Sequence, residues 1–325
     1  MKRTLVFMLS LMLLAACLLP SLAFAENERI TVVTTIFPIY DWAREIIGED
    51  AGHVELVLLL DSGVDLHSYQ PTAQDILMIS TADLFIYVGG ESDEWVEDVL
   101  AAAMNPDLVS ISLLDSMGDA VKAEEIVEGM EHEHENEDHE DHEDHEEEAD
   151  EHVWLSLRNA ETLVAIIADT LCRIDPAHAE TYRANASAYA EKLSALDAQY
   201  NEMVSHAAFD TILFGDRFPF RYLADDYGLT YYAAFSGCSA ESEASFATVI
   251  FLAQKVDELG LPAVLTIEHP RTRIAETVVQ STASGNQKIL TIDSMQGITS
   301  QDIEAGVTYL SIMENNLAVL TEALN

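Results

Sequence analysis

Basic residues are scarce in this chain. Fifteen lysines and arginines stand against 58 aspartates and glutamates in 325 residues, a formal net charge of −43. Phosphate backbones are held by basic faces, so this balance excludes nucleic acid as a partner. Cysteine is almost missing, at three residues. Cys17 falls in an N-terminal leader, and Cys172 and Cys238 alone do not make a disulfide framework. Beyond the leader, no uncharged apolar run reaches the ~20 residues that cross a bilayer. No H-E-x-x-H occurs either, which removes the commonest zinc-protease signature. Glycine and proline are absent from the interior of 177–206, so nothing interrupts a helix there.

The leader itself is informative. Lys2 and Arg3 precede an apolar run from Leu5 to Leu14, the pattern of an export signal over residues 1–25. Ala23-Phe24-Ala25 fits a small-x-small cleavage site, and Leu14-Ala15-Ala16-Cys17 fits a lipobox with Cys17 as the lipidated residue. Either route places the mature protein outside the cytoplasm, in the periplasm or attached to the outer face of the cell membrane as a lipoprotein.

Strand-like and helical stretches then alternate. Ile30–Thr34, Val54–Leu60, Leu84–Val88 and Val109–Leu113 read as strands in the first half. Thr211–Phe214, Thr230–Ala233, Ala263–Ile267 and Lys288–Ile292 do so in the second. The last helix is expected as one piece, Ser300–Leu324. Near-continuous apolar strands with helical crossovers predict an α/β fold, with parallel sheets covered on both faces. Asp175-Pro176 begins a long helix through His206, which at 1.5 Å per residue outreaches a single domain. The expected organisation is an N-terminal α/β domain (26–175), a rigid linking helix (176–206) and a C-terminal α/β domain (207–325). Ligands of open α/β sheets sit beyond the carboxyl ends of the strands, so facing sheets create a cleft between domains.

Inside the first domain runs "HEHENEDHEDHEDHEEEADEHVW", from His132 to Trp154. Residues 124–151 hold seventeen acids and no base, the composition of a disordered loop. Acids alone would serve as a spacer; the interleaved His132, His134, His139, His142 and His145 favour a metal-handling role.

Three loop residues at strand ends could converge on a cation: His67 in "DSGVDLHSYQPTAQD", His152 in "DEHVWLSLRNAE" and Asp293 in "TIDSMQGIT". Each has a plainer reading. A loop histidine is more often hydrogen-bonded than ligating, and Asp293 can close its own turn. Spacing alone leaves these open.

The segments together resemble the zinc- and manganese-specific solute-binding proteins of ABC transporters (ZnuA/TroA-like, cluster A-I). The likeness covers nearly the whole mature chain, through "TTIFPIYDWAREI", "GVDLHSYQPTAQD", "DEHVWLSLRNA", "DPAHAETYRANASAYAEKLSALD" and "YLSIMENNLAVLTEAL". It implies that His67, His152 and Asp293 bind the metal in an interdomain cleft. It also implies that a His- and acid-rich loop before the second histidine marks a zinc member. One position departs from the family: where it places a ligating histidine or glutamate, this chain has Arg217, a permanent cation with no acceptor. Candidates for the remaining ligand are His269, Glu241, Glu243, Asp216, Cys238 and water, with Cys238 read first as an inert thiol. Arg217 and Glu268 are expected beside the ligands, Arg217 paired with Asp216 or Asp293. Cys172, Trp42, Trp95, Trp154 and Tyr309–Met313 are expected to pack.

The expected function is high-affinity zinc binding and delivery to the permease of an ABC importer, by a monomer that performs no catalysis. It would touch the membrane only through the permease or a lipid anchor. Zinc is the expected cargo because imidazole is a borderline ligand, whereas manganese prefers oxygen. Imidazole must be neutral to bind, so affinity should fall below pH ~6.5. The alternatives are a zinc-dependent hydrolase, or manganese or another divalent ion as cargo.

Overall fold

The computed structural model describes residues 29–48, 52–130, 148–239, 243–268 and 272–325. The leader, His132, His134, His139, His142, His145, Glu241 and His269 lie outside them.

The first half contains β1 (Ile30–Thr34), α1 (Phe37–Ile47), β2 (Val54–Leu58), α2 (Ala73–Thr81), β3 (Leu84–Tyr87), α3 (Trp95–Ala101), β4 (Val109–Ser112) and the short α4 (Leu113–Met117). Two helices follow, α5 (Leu157–Ile174) and α6 (Ala179–His206). The second half holds β5 (Thr211–Phe218), α7 (Arg221–Tyr227), β6 (Thr230–Ser236), α8 (Phe246–Leu259), β7 (Ala263–Thr266), α9 (Arg273–Ser281), β8 (Lys288–Thr291), α10 (Ser300–Glu304) and α11 (Tyr309–Ala323). The sheets are parallel, in the orders β2-β1-β3-β4 and β6-β5-β7-β8. The architecture is therefore the same twice. Successive crossovers leave in opposite directions at β1/β3 and again at β5/β7, which opens a crevice at the strand ends there.

Burial follows the composition of the strands. Val32, Val33, Phe85 and Ile86 are fully enclosed, as strands covered by helices on both faces require. Trp42, Trp154, Tyr309 and Met313 are fully buried and Cys172 nearly so, each large apolar group contributing on the order of 2 kcal/mol. Local signals set the helix starts. Thr72 and Asp75 cap α2 reciprocally, and Ser156 and Ser245 accept the first free N–H groups of α5 and α8.

The predicted terminal helix is two helices. Gly306 takes φ +92°, and Thr308 caps α11 by accepting from Ser311. A chain that enters a left-handed turn and then meets a strong N-cap restarts.

Helix α6, 28 residues long, runs along both halves. Asn185 donates to the Ile46 carbonyl of α1 at 3.0 Å, and the Tyr200 hydroxyl donates to the Met313 carbonyl of α11 at 2.6 Å. The carboxyl ends of the two sheets face each other. Ser300 N–H donates to the Asp61 carbonyl, and Trp154 Nε1–H donates to the Ser294 carbonyl.

Candidate metal centre

His67 stands on a single helical turn, Leu66–Ser68, beyond the end of β2. Asp65 caps this turn by accepting the His67 N–H at 3.1 Å. The Nδ1 side of the ring is engaged, with Ser92 Oγ at 2.8 Å and Glu151 Oε2 at 3.3 Å. His152 is completely buried, and Asp150 Oδ1 holds both its backbone N–H (2.9 Å) and its Nδ1 (3.0 Å). A carboxylate on Nδ1 fixes the ring orientation and leaves the Nε2 lone pair for a cation. Gly237 is packed against the ring: a Cβ there would lie 3.1 Å from His152 Nδ1 and 3.0 Å from the Phe218 carbonyl.

The two Nε2 atoms are 3.2 Å apart, and the ring centroids are 5.2 Å apart with a 57° tilt. Two imidazoles on one tetrahedral zinc, each at ~2.0–2.1 Å, would put their nitrogens about 3.3 Å apart and their ring centres about 5 Å apart. The pair thus already has the spacing of ligands to one ion.

The third member is Cys238, just past β6. A ligand atom from each of His67, His152 and Cys238 lies within 4.8 Å of the others. Burial, with the nearby Glu124, Glu151 and Asp150 carboxylates, raises the thiol's pKa far above its ordinary range. Glu124 Oε1 also accepts the Cys238 N–H at 2.9 Å, tying this loop to the stem of the acidic segment. Burial would raise Glu151 too, but the adjoining His67 and Ser92 outweigh it and hold the carboxyl below its usual value. Gln296 completes the ring of donors. It is buried, its Nε2 lies 3.4 Å from His152 Nε2, and its Oε1 meets no hydrogen-bond donor among the described residues.

Asp293 is not in this group. Its Oδ1 accepts the Met295 N–H at 2.7 Å and closes the turn. Met295 there adopts φ 65°, a strained value for a side-chain-bearing residue. Glu268 braces that turn on both sides, accepting from Ser294 N–H (2.8 Å), Ser294 Oγ (2.7 Å) and Gln296 N–H (3.1 Å). Asp216 is occupied by the Arg217 and Ile267 N–H groups, and Glu243 is exposed. Arg217 forms an ion pair with Asp65, a partner sequence reading did not anticipate.

Asp150, Glu151, Ser92 and Gln296 were also not anticipated. Only the D-x-H spacing of Asp150 and His152 was a local signal for any of them. For Cys238 the fold alone supplies the proximity, across 86 residues from His152 (238 − 152).

A second group gathers His53, Asp175 and His178 within 4.8 Å. Here the imidazoles stack, with centroids 3.6 Å apart and planes 16° from parallel. Asp175 Oδ2 accepts from the Tyr182 hydroxyl (2.6 Å) and lies 2.7 Å from His178 Nδ1. Lone pairs lie in the ring planes, so rings stacked this way cannot both aim at one ion about 2 Å away.

Residues 32–323 match the family model of ZnuA, described as "Zinc-uptake complex component A periplasmic". The zinc-binding lipoprotein AdcA of Streptococcus pneumoniae is 32% identical over 318 residues, which is 97% of this chain and 60% of that protein. The chain thus spans about three fifths of the length of the streptococcal AdcA proteins it matches. The high-affinity zinc uptake system protein ZnuA of Bacillus subtilis is 30% identical over 302 residues, 93% of this chain and 90% of that protein. The crystal structure of the Zn(II)-bound ZnuA-like domain of Streptococcus pneumoniae AdcA aligns with a TM-score of 0.70 at 28% identity, over 91% of this chain and 99% of that one.

Proposed function

This chain belongs to the ZnuA family of zinc-uptake components, and we propose that it captures zinc outside the cytoplasm and delivers it to the permease of an ABC importer. The observation that carries this is the 3.2 Å approach of His67 Nε2 and His152 Nε2 with the Cys238 thiol beside them, between two facing sheets. Zinc is the cargo, and no reaction is assigned.

Two neutral imidazoles and one thiolate bind the ion, with a water as fourth donor or Gln296 Oε1 once the amide, whose Nε2 lies 3.4 Å from His152 Nε2, turns over. Asp150 and Glu151 make the two imidazoles better donors, the part outer carboxylates play in zinc sites generally. Asp293 has a supporting part, shaping the turn that presents Gln296. The working units are the domains 26–175 and 207–325 and the helix between them. In a monomer they hold the cleft while the histidines of 131–147 collect metal nearby. Membrane contact comes through the permease or a lipid on Cys17, and nucleic acid has no part.

A thiolate and two imidazoles favour zinc over manganese. Competitive titration of the two ions tests the reading: one tight zinc site with manganese far weaker is expected. Equal affinities, or a preference for manganese, would overturn the choice of cargo.

A further inference from the structure

We propose that Arg217 is a positioning residue of the metal centre: acting through Asp65, it clamps the His67 turn across the cleft and slows the metal's departure. This rests on the zinc-binding reading above.

Arg217 lies near the end of β5, just past the register shift between Phe214 and Arg217. Its backbone is held firmly. Its N–H donates to Asp216 Oδ1 at 2.9 Å, while Asp216 Oδ2 accepts the Ile267 N–H at 3.3 Å, tying the ends of β5 and β7 together. From this base the guanidinium reaches into the other half of the molecule and pairs with Asp65 Oδ2. The same carboxylate uses Oδ1 to cap the turn carrying His67. One anion therefore connects the metal-ligating turn of the first half to a fixed cation of the second.

The side chains of Arg217 and Asp65 are only 11% and 14% exposed, so water screens the pair poorly. Parting the halves would strip the cap's counter-charge as it moved His67 away from His152. Opening and loss of ligand geometry are thereby linked. The competing role for Arg217 is plain repulsion of the arriving cation, which predicts the opposite sign for its removal.

The test is zinc release from the full chain into excess chelator, followed by stopped flow, with association measured separately. Arg217→Gln and Asp65→Asn should each speed release about 10- to 100-fold, the range for groups that orient a ligand, with association changed little. The double variant should be no faster than the faster single one, because both break the same clamp. Arg217→Lys should restore part of the retention by keeping charge without the two-pronged geometry. Metal-free melting should fall in both single variants, because a nearly buried charge loses its partner. Zinc release should still be faster at temperatures where each variant is fully folded, which a merely structural role would not give. Slower release or tighter binding in Arg217→Gln would overturn the proposal in favour of repulsion, and multiplicative effects in the double variant would refute the shared clamp. If Arg217→Gln does not fold, Asp65→Asn reads the clamp from its other end. Absence of a tight site in the parent would instead sink the functional reading.

Discussion

Among the described residues, two places bring a pair of histidines and a third donor within 4.8 Å, and they are built for different ends. In the cleft, His67 and His152 tilt at 57° with centroids 5.2 Å apart, each with its Nδ1 side held by protein groups. At the start of the linking helix, His53 and His178 stack 3.6 Å apart over a carboxylate already engaged by Tyr182. Residue types and radius are alike. What separates the two is where the lone pairs point, and that is set by second partners. A cluster whose polar groups satisfy one another is a fastening; one that leaves lone pairs converging is a site.

The sharpest way to break this contrast is to remove a histidine from each place. His152→Ala should weaken zinc binding by more than ~100-fold, since loss of an orienting group alone reaches that figure. His53→Ala and His178→Ala should leave the tight zinc constant within about twofold. Isothermal titration of the three variants decides it, and equal losses would erase the distinction.

The thiol sharpens the contrast further. Burial and the Glu124, Glu151 and Asp150 carboxylates keep Cys238 protonated at neutral pH in the metal-free protein. Zinc must displace that proton, so affinity should rise about tenfold per pH unit across the neutral range, and less steeply in Cys238→Ser. Proton release on zinc addition in weak buffer measures it directly. Zinc binding at Asp175 would show no such thiol proton.

A smaller effect is expected one layer out. Glu151→Gln removes the charge beside His67 Nδ1 and should cost about tenfold in zinc affinity with little change in melting.

The smallest effect on zinc belongs to the fastening. Asp175→Ala should cost about 2 kcal/mol of stability while leaving zinc affinity intact. Burial tends to raise the Asp175 pKa, but Tyr182, His178 and His53 more than offset it and the value is lowered. Its stabilising contribution is therefore present above the ordinary aspartate range and is lost as pH falls through the lowered value. Chemical denaturation of the parent and Asp175→Ala at pH 7 and pH 3 checks it: the difference between them should shrink at pH 3.

Much of the fold was legible because local chemistry agreed with it. The β-branched strands, the Thr72 cap and the unbroken run into α6 all carry their own signals. The terminal helix was misjudged because apolar spacing continues across Gly306, whose backbone conformation, with the Thr308 cap, decides the break. Within the site, His67 and His152 stand in motifs that name them. Cys238 stands in none and is brought in by the parallel pairing of β5 and β6. Asp293 is harder to read because a carboxylate after a strand suits either a ligand or a turn; here its Oδ1 accepts the Met295 N–H, a bond that spacing alone does not announce.

The central claim is that the cleft, not the histidine-rich segment, is the tight site. A competitive zinc titration of the whole chain beside a variant with residues 131–147 replaced by a short Gly-Ser linker tests it most directly. One tight site of unchanged affinity should survive, with weaker sites lost. Disappearance of the tight site would contradict the account and place the missing ligand, or the whole site, in the deleted segment.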